Sequence, residues 1–320
     1  MLVVVTRKLP RAVEERMRAL FDVELNATDR PLSQDELASA AARADVLVPT
    51  VTDRIDATVI ERAGPRLRLL ANFGVGVNHV DLRAAQARGI QVSNTPGVLT
   101  DATADIAMLL ILAVTRRASA GERLLREGRF TGWTPTFHLG TSLRGKRLAV
   151  VGLGRIGQAL ARRARAFGLD IHYHNRQRVS RQTENELAAS YEPDLDLLLA
   201  EADVVSLHCP LTPQTRHLFS SERLSRIRPS AYLVNTARGE IVDEAALAAR
   251  LRSGALAGAG LDVYEAEPEV HPDLLGLDNV VLLPHLGSAT EEARSAMGQK
   301  VIQNISALAA GEPLPDTVLP

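Results

Sequence analysis

Three glycines and the residues after them carry the first chemistry legible in this chain. Leu148-Ala-Val-Val-Gly152-Leu-Gly154-Arg155-Ile156-Gly157 is a run of small and β-branched residues entering a G-x-G-x-x-G turn. Glycines at that spacing suit a tight turn, close approach of backbone to a pyrophosphate, and close packing of the next helix on its strand. The helix N-terminus then offers N–H groups and a positive dipole end to a diphosphate. About 20 residues on, an acid usually takes the ribose 2′-OH of NAD, whereas an arginine accommodates a 2′-phosphate. Here that place holds Asn175, Arg176 and Arg178. The pattern implies a dinucleotide, with NADP(H) preferred and NAD(H) possible. A turn serving only packing is the alternative for the glycines. For Arg155, Arg176 and Arg178 the alternative is a solvated surface.

Hydride transfer to a keto acid needs a clamp for the carboxylate, polarisation of the carbonyl and a proton for the forming alkoxide. The planar fork of an arginine meets the first two needs, and a histidine paired with a carboxylate meets the third. Arg238 follows a strand-like run ending at Asn235, Glu267 one ending at Val263, and His285 one ending at Leu283 and Pro284. Open α/β sheets place their ligands at the carboxyl ends of strands, so the shared placement favours one site. Taken singly, Arg238-Gly239 also reads as a helix-start turn, Glu267 as one of a run of exposed acids, and His285 as a loop histidine.

The elements that must position these groups alternate between strand-like and helical patterns, which argues for parallel sheets built from βαβ units. The first hundred residues offer strands at Leu2–Thr6, Val23–Leu25, Val46–Pro49, Leu67–Asn72 and Ile90–Ser93, with helices such as Ala12–Leu20, Ser33–Arg43 and Ala57–Ala63. Leu99–Thr115 reads as a long apolar helix with Thr100 and Asp101 as cap candidates. Six further strands are expected at Leu148–Gly152, Asp170–His174, Val204–His208, Ala231–Asn235, Gly258–Val263 and Val280–Leu283, and a helix at Thr290–Ala309. The expected fold class is α/β, with two doubly wound parallel-sheet domains. Residues 1–98 with 290–320 form a discontinuous flavodoxin-like domain, and residues 99–289 a Rossmann domain.

With 320 residues, 46% of them hydrophobic and 23% charged, the chain has the composition of a soluble globular protein of two domains. A net charge of −1 gives no electrostatic case for nucleic acid or an anionic membrane. The one cysteine rules out an intramolecular disulfide and suits a reducing compartment. Met1-Leu-Val-Val-Val reads as a first strand and not as a signal peptide, so a cytoplasmic location is expected. No metal site is read from the sequence.

Five segments together resemble the D-isomer-specific 2-hydroxyacid dehydrogenase family. They are Gly152-Leu-Gly-Arg-Ile-Gly157, Leu207-His-Cys-Pro-Leu-Thr-Pro213, Asn235-Thr-Ala-Arg-Gly239, Gly260-Leu-Asp-Val-Tyr264 and Pro284-His-Leu-Gly-Ser288. The resemblance implies that Arg238 binds and polarises a 2-oxo acid, that His285 is the general acid, and that Glu267 raises its pKa. It puts Asp262 at the nicotinamide carboxamide, the Thr236-Ala237 backbone beside the ring, and His208, without a catalytic role, near the cofactor with Pro210, Thr215 and Gly287. In Asn72-Phe-Gly-Val75-Gly76-Val-Asn78, the N–H groups of Val75 and Gly76 would cradle the substrate carboxylate. The segment Ser93–Asp105, Trp133 and Asn175-Arg176-Gln-Arg178 resemble the glyoxylate/hydroxypyruvate reductase branch. There a tryptophan like Trp133 enters the neighbouring subunit's site, which implies a homodimer formed through Leu99–Phe137. Another D-2-hydroxyacid or phosphite dehydrogenase, or a nucleotide-sensing corepressor-like protein, are the rival readings.

Overall fold

The computed structural model describes residues 1–319. They form two compact units, residues 1–99 with 289–319, and Thr100–Ser288. The first unit runs β1 (Leu2–Val5), α1 (Arg11–Leu20), β2 (Asp22–Leu25), α2 (Gln34–Arg43), β3 (Val46–Val48), α3 (Ala57–Glu61), β4 (Leu69–Ala71), α4 (Leu82–Ala87) and β5 (Gln91–Ser93). Its five strands are all parallel in the order β2-β1-β3-β4-β5, a doubly wound, flavodoxin-like arrangement. A parallel sheet is covered on both faces, so its strands read as continuous apolar runs. Val46-Leu47-Val48 and Leu69-Leu70-Ala71 are buried throughout.

The second unit begins with α5 (Thr100–Thr115) and α6 (Ala118–Arg126). It continues through β6 (Arg147–Val151), α7 (Arg155–Ala166), β7 (Asp170–His174), α8 (Arg181–Leu187), β8 (Ala189–Tyr191), α9 (Leu195–Glu201) and β9 (Val204–Leu207). α10 (Ser221–Leu224), β10 (Tyr232–Asn235), α11 (Glu244–Arg252), β11 (Gly258–Leu261), α12 (Pro272–Leu275) and β12 (Val280–Leu282) complete it. α13 (Glu291–Ala310), capped by Thr290, belongs to the first unit, where Val301, Ile302 and Ile305 join the core formed with Val13 and Met17 of α1.

The second sheet is parallel in the order β12-β11-β10-β9-β6-β7-β8, so the winding reverses between β6 and β9. Ligands of such sheets bind at that switch point, beyond the strand ends. Where the sequence leads one to expect six strands the sheet has seven. The extra one, β8, is Ala189-Ser-Tyr191, too short and too mixed in polarity to give an alternation signal. Thr100 is already the first residue of α5 and Asp101 lies in its first turn, so the helix starts slightly before the expected caps. Among the described residues no helix is long and apolar enough to cross a membrane, and no cluster of residues suits a metal ion.

Candidate active site

β6 hands over to Gly152, which turns the chain at φ 102°. A Cβ there would lie 2.6 Å from the Cys209 nitrogen and 2.7 Å from the His208 carbonyl carbon. The exit loop of neighbouring β9 therefore admits only glycine. A Cβ on Gly157 would meet the Gly152 oxygen at 2.4 Å, so α7 is seated directly on the turn. A Cβ on Gly154 would meet nothing within 4 Å, so that face of the turn is open to a ligand. The first N–H groups of a helix have no intrahelical acceptor, and those at Arg155 and Ile156 stand at the head of the twelve-residue α7. The Asn175 side chain holds the turn from the end of β7, its Oδ1 accepting the Leu153 N–H at 2.7 Å.

The rest of the strand ends continue this surface. Thr236 Oγ1, after β10, is buried with no hydrogen-bond partner, the kind of polar atom that a ligand normally satisfies. His208 Nε2 lies 2.8 Å from Ser206 Oγ, and burial pulls the ring's pKa down to about 4, so it is neutral and suited to no acid role near pH 7. Thr215 Oγ1 donates to the Pro210 carbonyl and accepts the Thr212 N–H, both at 2.7 Å, which closes the loop after β9. An open glycine turn on a helix N-terminus and an unsatisfied buried hydroxyl fit a dinucleotide.

Arg238, Glu267 and His285 come from the ends of three consecutive strands. Asn235 shapes the first turn by donating to the Arg238 carbonyl at 2.8 Å and accepting the Ala237 N–H at 3.0 Å. A Cβ at Gly239 would fall 1.8 Å from the Tyr264 carbonyl carbon. Only glycine lets the Arg238 segment lie against the loop that carries Glu267. Glu267 Oε1 accepts the Tyr264 N–H at 3.1 Å, and Oε2 lies 2.8 Å from His285 Nδ1. An ionised carboxylate only accepts, so Nδ1 carries the proton of that bond and Nε2 remains for exchange with a substrate.

The charges support one another. Burial pushes the Glu267 carboxyl upward, but the hydrogen bond and charge of His285, the Tyr264 N–H and Arg238 together hold it below the ordinary range. Burial likewise lowers the Arg238 guanidinium, opposed by Glu267 and Glu240, and arginine stays charged in proteins. His285 sits at φ 55°, a left-handed conformation costing a non-glycine residue about 1–3 kcal/mol. The following residues hold it there. Asp262, 1% exposed, accepts the Leu286 N–H at 2.6 Å and the Gly287 N–H at 2.8 Å, and Thr103 Oγ1 donates to the Gly287 carbonyl at 3.0 Å.

Residues 108–287 match the model of the D-isomer specific 2-hydroxyacid dehydrogenase family, NAD binding domain. The chain belongs to that family. A glyoxylate reductase of Thermococcus litoralis is 44% identical over 99% of this chain and 96% of its own. A solved structure of a Thermus thermophilus protein is 45% identical, with a TM-score of 0.91 and complete coverage of both chains. A third relative is an NADPH-dependent glyoxylate/hydroxypyruvate reductase from Sinorhizobium meliloti, solved with NADP and malonate. It is 36% identical over 99% of this chain and 96% of that one, with a TM-score of 0.88. The D-2-hydroxyacid dehydrogenase described here is thus an oxidoreductase acting on 2-oxo acids with a nicotinamide dinucleotide, in the glyoxylate reductase branch.

In this dehydrogenase two of the expected cofactor residues, Arg178 and Asp262, make hydrogen bonds within the chain. Arg178 spends its fork on Glu184, Nε to Oε1 at 2.7 Å and Nη2 to Oε2 at 2.8 Å. Glu184 is buried and needs that cation. Arg178, followed by the Tyr173 hydroxyl at 2.7 Å, holds its carboxyl down to about 2. Asp262, whose buried oxygens both accept backbone N–H groups, anchors the histidine loop. Arg176 is exposed and, among the described residues, makes no hydrogen bond or ion pair.

Trp133, expected in substrate binding, is 79% exposed within its own chain, on a loop where the Phe130 and Phe137 rings meet at a tilt with centroids 5.9 Å apart. Sequence reasoning missed Thr103 and Tyr264. Tyr264 ties the Glu267 loop to the end of β12 by donating to the Leu283 carbonyl at 2.8 Å. Its place in Gly260-Leu-Asp-Val-Tyr264 was a signal; Thr103, in the middle of a helical run, gave none.

Proposed function

We propose that this dehydrogenase reduces glyoxylate to glycolate and hydroxypyruvate to D-glycerate with NADPH, and that it works as a cytoplasmic homodimer. The His285–Glu267 pair beside Arg238, at the strand ends next to the glycine turn, carries the reading. A bound nicotinamide supplies the hydride. The Arg238 fork takes one carboxylate oxygen and the keto oxygen, drawing charge toward the oxygen that becomes the alkoxide. The N–H groups of Val75 and Gly76 suit a substrate carboxylate. The protonated His285 ring, held through Nδ1 by Glu267, passes its Nε2 proton to the keto oxygen as the carbonyl carbon accepts the hydride. The product is a 2-hydroxy acid, and the ring is left neutral.

The choice of NADPH rests on position 175 and its neighbour. Asn175 places no anion against a 2′-phosphate, and the exposed, unpaired guanidinium of Arg176 is available to one. The Sinorhizobium meliloti relative is described as NADPH-dependent. The homodimer rests on apolar side chains that one chain leaves in water, Leu125, Phe130, Trp133 and Leu139 among them. Large apolar side chains exposed this close together in the sequence favour a protein contact.

The test is a matrix of NADPH and NADH against glyoxylate, hydroxypyruvate and pyruvate, with the products identified. NADPH is expected to be oxidised faster than NADH, with glycolate and D-glycerate formed. A wild-type preference for NADH would remove the cofactor assignment. Failure of every pair to react would remove the enzyme.

A further inference from the structure

The loop after β4, Asn72-Phe-Gly-Val75-Gly76-Val77, has an unusual division of its polar groups. Three consecutive carbonyls are all held. The Gly74 oxygen accepts from the Thr95 N–H at 3.0 Å and from Asn72 Nδ2 at 3.0 Å. The Val75 oxygen accepts from Asn94 Nδ2 at 2.9 Å, and the Gly76 oxygen from Asn72 Nδ2 at 3.0 Å. Among the described residues, no acceptor takes the N–H of Val75, Gly76 or Val77.

These two facts are one. A trans peptide is planar, so the carbonyl of one residue and the N–H of the next point in opposite directions. Holding the carbonyls of Gly74, Val75 and Gly76 therefore turns the N–H groups of Val75, Gly76 and Val77 away from Asn72 and Asn94. Successive free N–H groups on one side of a loop make an anion-binding concavity. Asn72 is fully buried and its orientation is set from below, since its Oδ1 accepts from His79 Nε2 at 2.9 Å. That bond requires the proton on Nε2, because an amide oxygen has none to give. With Oδ1 engaged by His79, the Asn72 amide cannot flip, and its NH2 stays on the two carbonyls.

We infer that Asn72 and Asn94 are positioning residues for substrate recognition: by holding the Gly74, Val75 and Gly76 carbonyls they aim three amides, that of Val77 included, at the carboxylate of the 2-oxo acid. The inference rests on the proposed reading of the chain as a 2-oxo acid reductase. Neither asparagine touches substrate; each acts through the backbone. The carboxylate gains fixed donors that need no reorganisation when it binds, and a charge-assisted bond is about twice as strong as a neutral one.

The test uses the full-length protein with Asn72→Ala and Asn94→Ala, each compared with wild type in steady-state reduction of glyoxylate by NADPH. Calorimetric binding of malonate, as an unreactive carboxylate, is measured with NADP present, and NADPH affinity is measured alone. Each variant is expected to raise KM and the malonate dissociation constant about tenfold while kcat stays within about threefold and NADPH affinity is unchanged. A merely structural role would lower kcat and NADPH affinity as well, and that result overturns the inference. So do unchanged KM and malonate affinity in folded variants that, like wild type, reduce glyoxylate. If Asn72→Ala does not fold, Asn94→Ala, which removes a single bond, decides alone. If wild type reduces no 2-oxo acid yet binds malonate, and the variants lose that binding, the amide site stands and the reductase reading falls.

Discussion

His285 and Glu267 form one pair, the carboxylate fixing the ring through Nδ1 at 2.8 Å. The Glu267 carboxyl lies below its ordinary range, where burial alone would have raised it. A carboxyl with a lowered pKa stays ionised as the pH falls through the usual carboxylate range, so the pair survives mild acid and is lost only below it. Glu267→Gln removes the carboxylate that holds Nδ1, and kcat of glyoxylate reduction should fall by about 10–10²-fold. An unchanged kcat would take Glu267 out of proton transfer. Arg238→Lys keeps the charge and loses the fork; kcat/KM should drop by about 10²–10³, the loss typical of one oxyanion donor. These three residues were legible in the sequence because each brings a distinct chemistry to a strand end. Their supports were not. The bond between Thr103 and Gly287 spans 184 residues, and no spacing rule reaches that far. The Arg178–Glu184 bonds were not legible either, since the type and place of Arg178 suit a phosphate equally well.

At the scale of elements, the segment between β7 and α8 does two jobs with two arginines. Arg178 ties the segment down through Glu184, Tyr173 and the Tyr173-bound Val179 N–H, while its guanidinium lies 5.7 Å from the centre of the Tyr191 ring. Arg176 is exposed and, among the described residues, makes no such bond. Arg176→Ala should weaken NADPH binding about tenfold or more and leave NADH nearly unchanged. Arg178→Ala should lower the melting temperature and weaken both cofactors together. Fluorescence titrations of the two cofactors on each variant, with a thermal melt, separate these outcomes. Equal selectivity loss in both variants would return Arg178 to the phosphate. Central strands such as Val46–Val48, Leu69–Ala71 and Val204–Leu207 stood out in the sequence because strands buried on both faces are mostly apolar runs. β8 did not, since a three-residue edge strand buries too little to need such a run. Most helix starts were readable where Ser, Thr or Asp caps them, as Ser33, Asp56 and Thr290 do. For α5 the start was readable to within one residue, from Leu99, but its cap candidates Thr100 and Asp101 lie inside the helix.

The whole molecule combines two units of the same winding, the first of them completed by a helix from the end of the chain. The apolar strand pattern is local and shows in the sequence, whereas the partners of a surface depend on the folded shape. Trp133 illustrates this, an aromatic residue in a Gly/Pro loop that one chain leaves in water. In sedimentation at micromolar concentration the wild type is expected at twice the chain mass, and Trp133→Ala with Leu139→Asp should shift the population toward monomer. A monomeric wild type would contradict the assembly. The central claim is that this chain reduces a 2-oxo acid by pairing a nicotinamide hydride with the proton of His285. Its most direct test is the rate of NADPH oxidation on adding glyoxylate, for wild type beside His285→Ala. The expected result is turnover by the wild type and a fall of about 10²–10⁴ in the variant, the usual contribution of a general acid. An inert wild type, or a variant that keeps the wild-type rate, would contradict it.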